Sequence, residues 1–155
     1  YNWQDIGSSF LPSELLAALL LAQLERLEEI TTRRLAIWNK YHQALEPLEQ
    51  RGFLRRPVIP PYAQHNAHLY YILLPNQKQR DFLMEQLKAK SILAIFHYLP
   101  LHTSPMGQRS GWASADLPVT EVTSQCLLRL PLFSGLTDAE QEEVIHAIIQ
   151  ILEGQ

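Results

Sequence analysis

The order of apolar patterns along the chain predicts a two-layer α/β domain: a long N-terminal helix, then shorter helices backing a small mixed or antiparallel sheet. Three observations carry this expectation. Leu, Trp and Tyr recur every three or four positions from Leu16 to Leu48, the spacing of one helix face. Residues 67–74, 91–98 and 126–133 are short apolar runs, the length and composition of strands. An amphipathic helical stretch separates the first two runs and another closes the chain, so helices and strands alternate into layers.

In chain order, Pro12 suits the first turn of a helix, with Ser13 and Glu14 beside it. Leu16, Leu20, Leu24, Leu27, Ile30, Trp38, Tyr41, Leu45 and Leu48 then mark one face of a helix ending near Pro47. Between Leu15 and Leu24 almost every position is apolar, and a helix apolar all round is buried all round. One sheet covers one side of it; another domain or a second subunit is expected on the other. Residues 50–66, with Pro57, Pro60 and Pro61, read as an irregular connection. The first strand, 67–74, leads to a helix over 76–90 with Phe82, Leu83 and Leu87 inward. The second strand, 91–98, leads to a loop over 99–119 containing Pro105, Gly107, Gly111 and Pro118. A loop of about twenty residues in a compact domain points to function. In the third strand Pro131 marks an end or an edge. The last helix, 137–152, opens on the capping box Thr137-x-x-Glu140 and places Val144, Ile148 and Ile151 or Leu152 on one face.

Composition excludes several classes. The 155 residues fit one domain, and 46% hydrophobic with 19% charged residues is ordinary for a globular protein. Net charge is −3 and the 13 Lys and Arg form no basic stripe, which argues against a nucleic-acid partner. The single cysteine, Cys126, forbids an internal disulfide, fits a reducing cytoplasm and lies beside an apolar run, as a buried inert thiol does. The densest apolar run, "LLAALLLAQL" (15–24), is half of what a membrane span needs, and a soluble chain is expected. The sequence opens on "YNWQDIGSSF" without Met, and a piece of a longer protein is the expectation.

The segment "AIFHYLPLHTSP" (94–105) carries the strongest candidate chemistry. It ends an apolar strand on His97-Tyr98, stiffens the chain at Pro100 and Pro105, and presents His102. Imidazoles donate to phosphate or sugar oxygens, a tyrosine offers a flat face plus a hydroxyl, and prolines lower the entropy lost on binding. A pocket wall for a polar, anionic, ring-bearing ligand stands against a proline-rich turn held by aromatic packing. His65, His68, His97 and His102 lack metal-ligand spacing, so no metal site is assigned. His42 and His146 fall on helices and are expected in solvent. Gly7-Ser8-Ser9 before a helix either presents donors to an anion or simply starts the helix. No paired carboxylates and no Ser–His–acid arrangement are legible. Lys40, Lys78, Lys88 and Lys90 fall on charged helical faces, unlike a reactive lysine held in a pocket that lowers its pKa.

At "YNWQDIGSSFLPSELLAALLLAQLE", "HNAHLYYILL", "SILAIFHYLPLH" and "LLRLPLFSGLTDAEQEEVI" the sequence resembles the DegT/StrS-type sugar aminotransferases, block by block and in order. The resemblance implies the small C-terminal domain of a fold-type I enzyme dependent on pyridoxal 5'-phosphate, residues 1–155, with a linker helix over 12–46. It implies an amino transfer from glutamate to C4 of a dTDP-4-keto-6-deoxy sugar, in a homodimer whose site lies at the subunit interface. A large domain bearing the cofactor lysine would precede Tyr1, leaving this chain inactive alone, with no catalytic residue of its own. Ser9 stands where many members have an Asn that reaches the cofactor phosphate of the neighbouring subunit. His97, Tyr98 and His102 match the block that lines the nucleotide-sugar site. A stand-alone binding or regulatory module, or a sugar dehydratase using the same cofactor, are the rival readings.

Overall fold

A computed structural model of the chain describes residues 11–109 and 117–154. Three short strands, β1 (Tyr70–Leu73), β2 (Ile95–Phe96) and β3 (Leu127–Leu130), pair antiparallel in the order β1-β3-β2. Tyr70 faces Leu130 and Ile72 faces Leu128, while Ile95 faces Arg129 and Phe96 faces Leu128. Alternation along β1 and β3 then buries Tyr70, Ile72, Leu128 and Leu130 on one face, the period-2 rule of a half-covered sheet. The antiparallel option of the sequence reading is the one observed. β3 is central, so Pro131, just after its last residue, marks a strand end and not an edge.

Helices cover that buried face. α1 (Glu14–Glu25), α2 (Leu27–Ala44) and α3 (Glu46–Gln50) follow one another with single-residue joints at Arg26 and Leu45. The one long helix expected from periodicity is thus three segments, and Pro47 does not end it. Proline is tolerated there because it stands in the first turn of α3, where no intrahelical N–H is needed. The run closes at Gly52, whose φ of 79° takes the left-handed conformation. There the Phe53 N–H donates to Leu48 O at 3.0 Å.

α4 (Gln77–Ala89) is capped by Asn76, whose side chain accepts from Gln79 N. Leu83 and Leu87 point inward, but Phe82 is 42% exposed; Arg80 is buried in its stead, its guanidinium 5.6 Å from the centre of the Phe96 ring. The chain after α4 leaves the helix at Ser91, φ 63°, with Ile92 N donating to Leu87 O. Residues 91–94 therefore finish a helix rather than start a strand, and β2 keeps only two residues.

After β2 come a 3₁₀ turn (Leu101–Thr103), α5 (Pro105–Arg109), α6 (Pro118–Cys126) and α7 (Asp138–Glu153). α7 has the expected capping box: Glu140 N donates to Thr137 Oγ1 at 3.2 Å and Thr137 N to Glu140 Oε2 at 2.8 Å. It buries Val144, Ile145, Ile148 and Leu152, each contributing about 1.5–3 kcal/mol of transfer free energy. These meet Leu83 and Leu87 of α4, Ile37, Trp38 and Tyr41 of α2, and the sheet in one core. Arg33 to Asp138 and Lys40 to Glu142, each at 2.8 Å, tie α2 to α7 along its rim.

α1 stands apart. None of its residues is buried, and Leu15, Leu16, Leu19, Leu20, Leu21 and Leu24 are 50–84% exposed. The sheet was expected to cover one side of it; among the described residues neither side is covered. No described helix is long and apolar enough to cross a membrane.

Candidate functional site

His97, Tyr98, Leu99 and Pro100 leave the end of β2 as an extended segment. Facing them is α6, which starts at Pro118 in its first turn and presents Val119, Thr120, Thr123 and Ser124. Leu127, the first residue of β3, closes the floor of this groove of about 380 Å³. The two walls are ordered by one sheet: β2 carries the first, and the second runs without a loop from Cys126 into β3.

The groove wall of β2 is aromatic and polar. The Tyr98 ring is 77% exposed and meets the His97 imidazole edge-on, centroids 4.9 Å apart at 62°. His97 Nδ1 is shielded from solvent and has no hydrogen-bond partner among the described residues. Buried polar atoms ordinarily have such a partner, so this one stands out in the wall. The α6 wall supplies hydroxyls; Ser124 Oγ donates to Glu121 O at 2.8 Å and keeps its lone pairs for a donor. No Lys or Arg lines the groove among the described residues. It therefore suits rings and hydroxyls better than an unneutralised diphosphate.

His102 behaves differently from the other two. It is buried, 8% exposed, does not line the groove, and places Nε2 3.0 Å from Glu121 Oε1 on α6. Sequence reasoning grouped His97, Tyr98 and His102 as one wall; the structure brings the first two to the groove and turns the third into the protein. Ser9 lies outside the described residues. Sequence reasoning missed Thr120, Glu121, Thr123 and Ser124, because residues 120–125 were given no element. The available signal was Pro118 followed three residues later by Glu121, a helix start.

The other histidines lie elsewhere. His65 leans on the Trp38 ring, centroids 4.5 Å apart, and His68 Nδ1 is 3.1 Å from Asn66 Oδ1. His42 was expected in solvent. It is half-buried, stacked on Trp38 at 4.5 Å, and burial together with the Arg56 charge pulls its pKa below the ordinary value. His146 is exposed, as expected for the outer side of α7. Among the described residues no three His, Cys, Asp or Glu side chains gather as a metal site. Cys126 is buried, as its apolar neighbourhood predicted.

The model of the DegT/DnrJ/EryC1/StrS aminotransferase family matches residues 1–149. The chain belongs to this family. Solved members share its architecture. DesV of S. venezuelae, determined with a ketimine intermediate, is 28% identical and superposes with a TM-score of 0.79, over 88% of this chain and 36% of its own. TlmJ of Streptoalloteichus hindustanus, an aminotransferase, is 28% identical with a TM-score of 0.73, over 86% of this chain and 34% of its own. Helicobacter pylori PseC, at 22% identity, shares the fold with a TM-score of 0.82, over 99% of this chain and 41% of its own. The chain thus spans well under half the length of these relatives.

Pyridoxal phosphate is the cofactor of this aminotransferase family, whose structures include forms with pyridoxal and pyridoxamine phosphate. The described residues of this member do not fit the reactive end of that group. Lys40 is paired with Glu142, and Lys78, Lys88 and Lys90 are exposed on or just beyond α4. None is held in the desolvated pocket that an imine-forming lysine requires.

Proposed function

We propose that this chain is the small domain of a nucleotide-sugar aminotransferase, and that its groove binds the ring-bearing parts of the substrate. The specific reading is dTDP-4-amino-4,6-dideoxygalactose transaminase. That enzyme converts dTDP-4-keto-6-deoxyglucose with glutamate as donor, in the cytoplasmic synthesis of a surface polysaccharide, the enterobacterial common antigen. "WQDIGSS" and "FHYLPLH" favour it within the family. The observation that carries the reading is the groove, which sets Tyr98 and His97 opposite the hydroxyls of α6. Tyr98 offers a face for a base or sugar ring, and the imidazole and hydroxyls exchange hydrogen bonds with sugar oxygens. His102 supports this wall from behind.

Pyridoxal phosphate, when bound to such an enzyme, supplies the electron sink for amino transfer. The lysine that carries it, and the cations that neutralise the substrate diphosphate, belong in this reading to a large domain preceding the small one. Ser9 reaches the cofactor phosphate of the other subunit in a homodimer. The exposed leucines of α1 pack against those partners.

Titrating the isotopically labelled 155-residue chain with dTDP-glucose tests the groove. Expected are chemical-shift changes at His97, Tyr98, Thr123 and Ser124. Changes confined to residues outside the groove refute the reading. Pyridoxal phosphate added to the same chain should form no borohydride-reducible imine at one specific lysine; such an imine would place the reactive amine here.

A further inference from the structure

His102 is the one buried histidine among the described residues, and its partner Glu121 stands nineteen positions later on another element. That pairing joins the two sides of the groove. His102 sits in the turn that follows directly on Leu99 and Pro100, while Glu121 stands between Thr120 and Thr123; all four flanking residues line the groove.

The turn transmits displacement because it is tied to itself. Thr103 N and Oγ1 donate to Pro100 O at 3.2 and 2.9 Å, and Ser104 N and Oγ to Leu101 O at 3.1 and 2.6 Å. Gly107 N donates to Ser104 Oγ at 3.0 Å, and α5 packs so closely that a Cβ on Gly107 would clash with Leu101 O. His102 therefore does not move without Pro100. On the other side Glu121 is in the first turn of α6, where the helix N-terminus favours a carboxylate.

We infer that Glu121 is a positioning residue: through His102 it sets the separation of the two walls and so the shape of the groove. Neither side chain touches a ligand; both act through Tyr98, Pro100 and the hydroxyl face of α6. The consequence for affinity rests on the nucleotide-sugar reading, whereas the coupling of the walls does not.

Two measurements on the 155-residue chain separate these. Backbone amide spectra of Glu121→Ala and Glu121→Gln are compared with wild type first, without ligand. The clamp requires that Glu121→Ala shift both residues 119–124 and residues 97–103; shifts confined to α6 overturn it. dTDP-glucose affinity is measured second. Glu121 is 45% exposed, so loss of its hydrogen bond to the imidazole counts for less than a fully buried charged one and predicts about 5- to 30-fold weaker binding for Glu121→Ala. Glu121→Gln, which keeps an acceptor oxygen for the imidazole, should return to within about threefold of wild type. Equal affinity in all three proteins overturns the positioning role. If wild type itself shows no binding, alone and when extended by the large domain that supplies cations to the diphosphate, the nucleotide-sugar reading fails, and the ligand-free spectra still decide the clamp.

Discussion

Arg56→Met is the sharpest test of what locks α2 and α3 to the sheet. The Arg56 side chain is 12% exposed, with Nε 2.6 Å from Glu49 Oε2 and Nη2 3.1 Å from Glu46 Oε1; Nη1 also donates to His42 O. A hydrogen bond to a charged group contributes about 1.5–3 kcal/mol when buried, and a solvent-exposed ion pair about 0–1. Glu49 is a third exposed and Glu46 about half, so the first counts nearly in full and the second scarcely at all. Adding the orphaned His42 carbonyl, the substitution should cost about 3 kcal/mol. The bond from Arg56 N to Glu49 Oε1 survives it, because the backbone donates there. Urea unfolding followed by circular dichroism reads the change as a lower midpoint at constant slope, with Tm falling by roughly 6–12 °C. Adding Glu49→Gln to the Arg56→Met variant should then cost less than in wild type, since the carboxylate has already lost its partner. A loss under about 1 kcal/mol would mean that this cluster is solvated in solution and that the reasoning is wrong.

Three further outcomes are expected. His42 is held neutral by burial and then by the Arg56 charge, so the unfolded chain takes up its proton first and stability falls as pH drops through about 6.5. Burial raises the Glu49 carboxyl but the Arg56 hydrogen bonds and charge outweigh it, and its net lowered pKa gives stability that is lost below about 4.5. His42→Gln should abolish the first stage of the urea-midpoint profile and leave the second; an unchanged profile would refute the assignment. Ser91→Gly should raise stability by up to about 1 kcal/mol, because glycine adopts φ 63° without the Cβ penalty; a decrease in urea midpoint would count against that backbone. Gly107→Ala should cost about 1–3 kcal/mol and shift the amides of residues 101–104, since its Cβ meets the Leu101 carbonyl; a spectrum identical to wild type would exclude the close approach.

What was legible in the sequence is what local chemistry decides. The α7 capping box, the α4 helix and the apolar runs that became β1 and β3 all carry their own periodicity or caps. The errors arise where a distant partner decides. β2 reads as eight residues and keeps two, because β3 is only four residues long and Ser91 takes a left-handed conformation that glycine ordinarily announces. α6 was invisible because Val119, Thr120, Val122 and Thr123 are indifferent helix formers, leaving only Pro118 and Glu121 as a signal. His97 and Tyr98 were recognisable as a wall from their placement between a strand and a proline. The inward turn of His102 was not, since it depends on Glu121, nineteen residues away. Arg56 was one of 13 Lys and Arg that form no basic stripe, and only the fold shows the two glutamates around it.

The direct passage from α6 into β3, with no connecting residue between Cys126 and Leu127, makes the groove mechanically lopsided. One jaw is welded to the middle of the sheet and shares its stability. The other hangs from an outer strand with two paired residues, the part of a sheet that opens at least free-energy expense. In the proposed function the Tyr98 jaw is then the one that admits and releases a guest, as far as the His102–Glu121 contact lets it part from the Thr123 jaw.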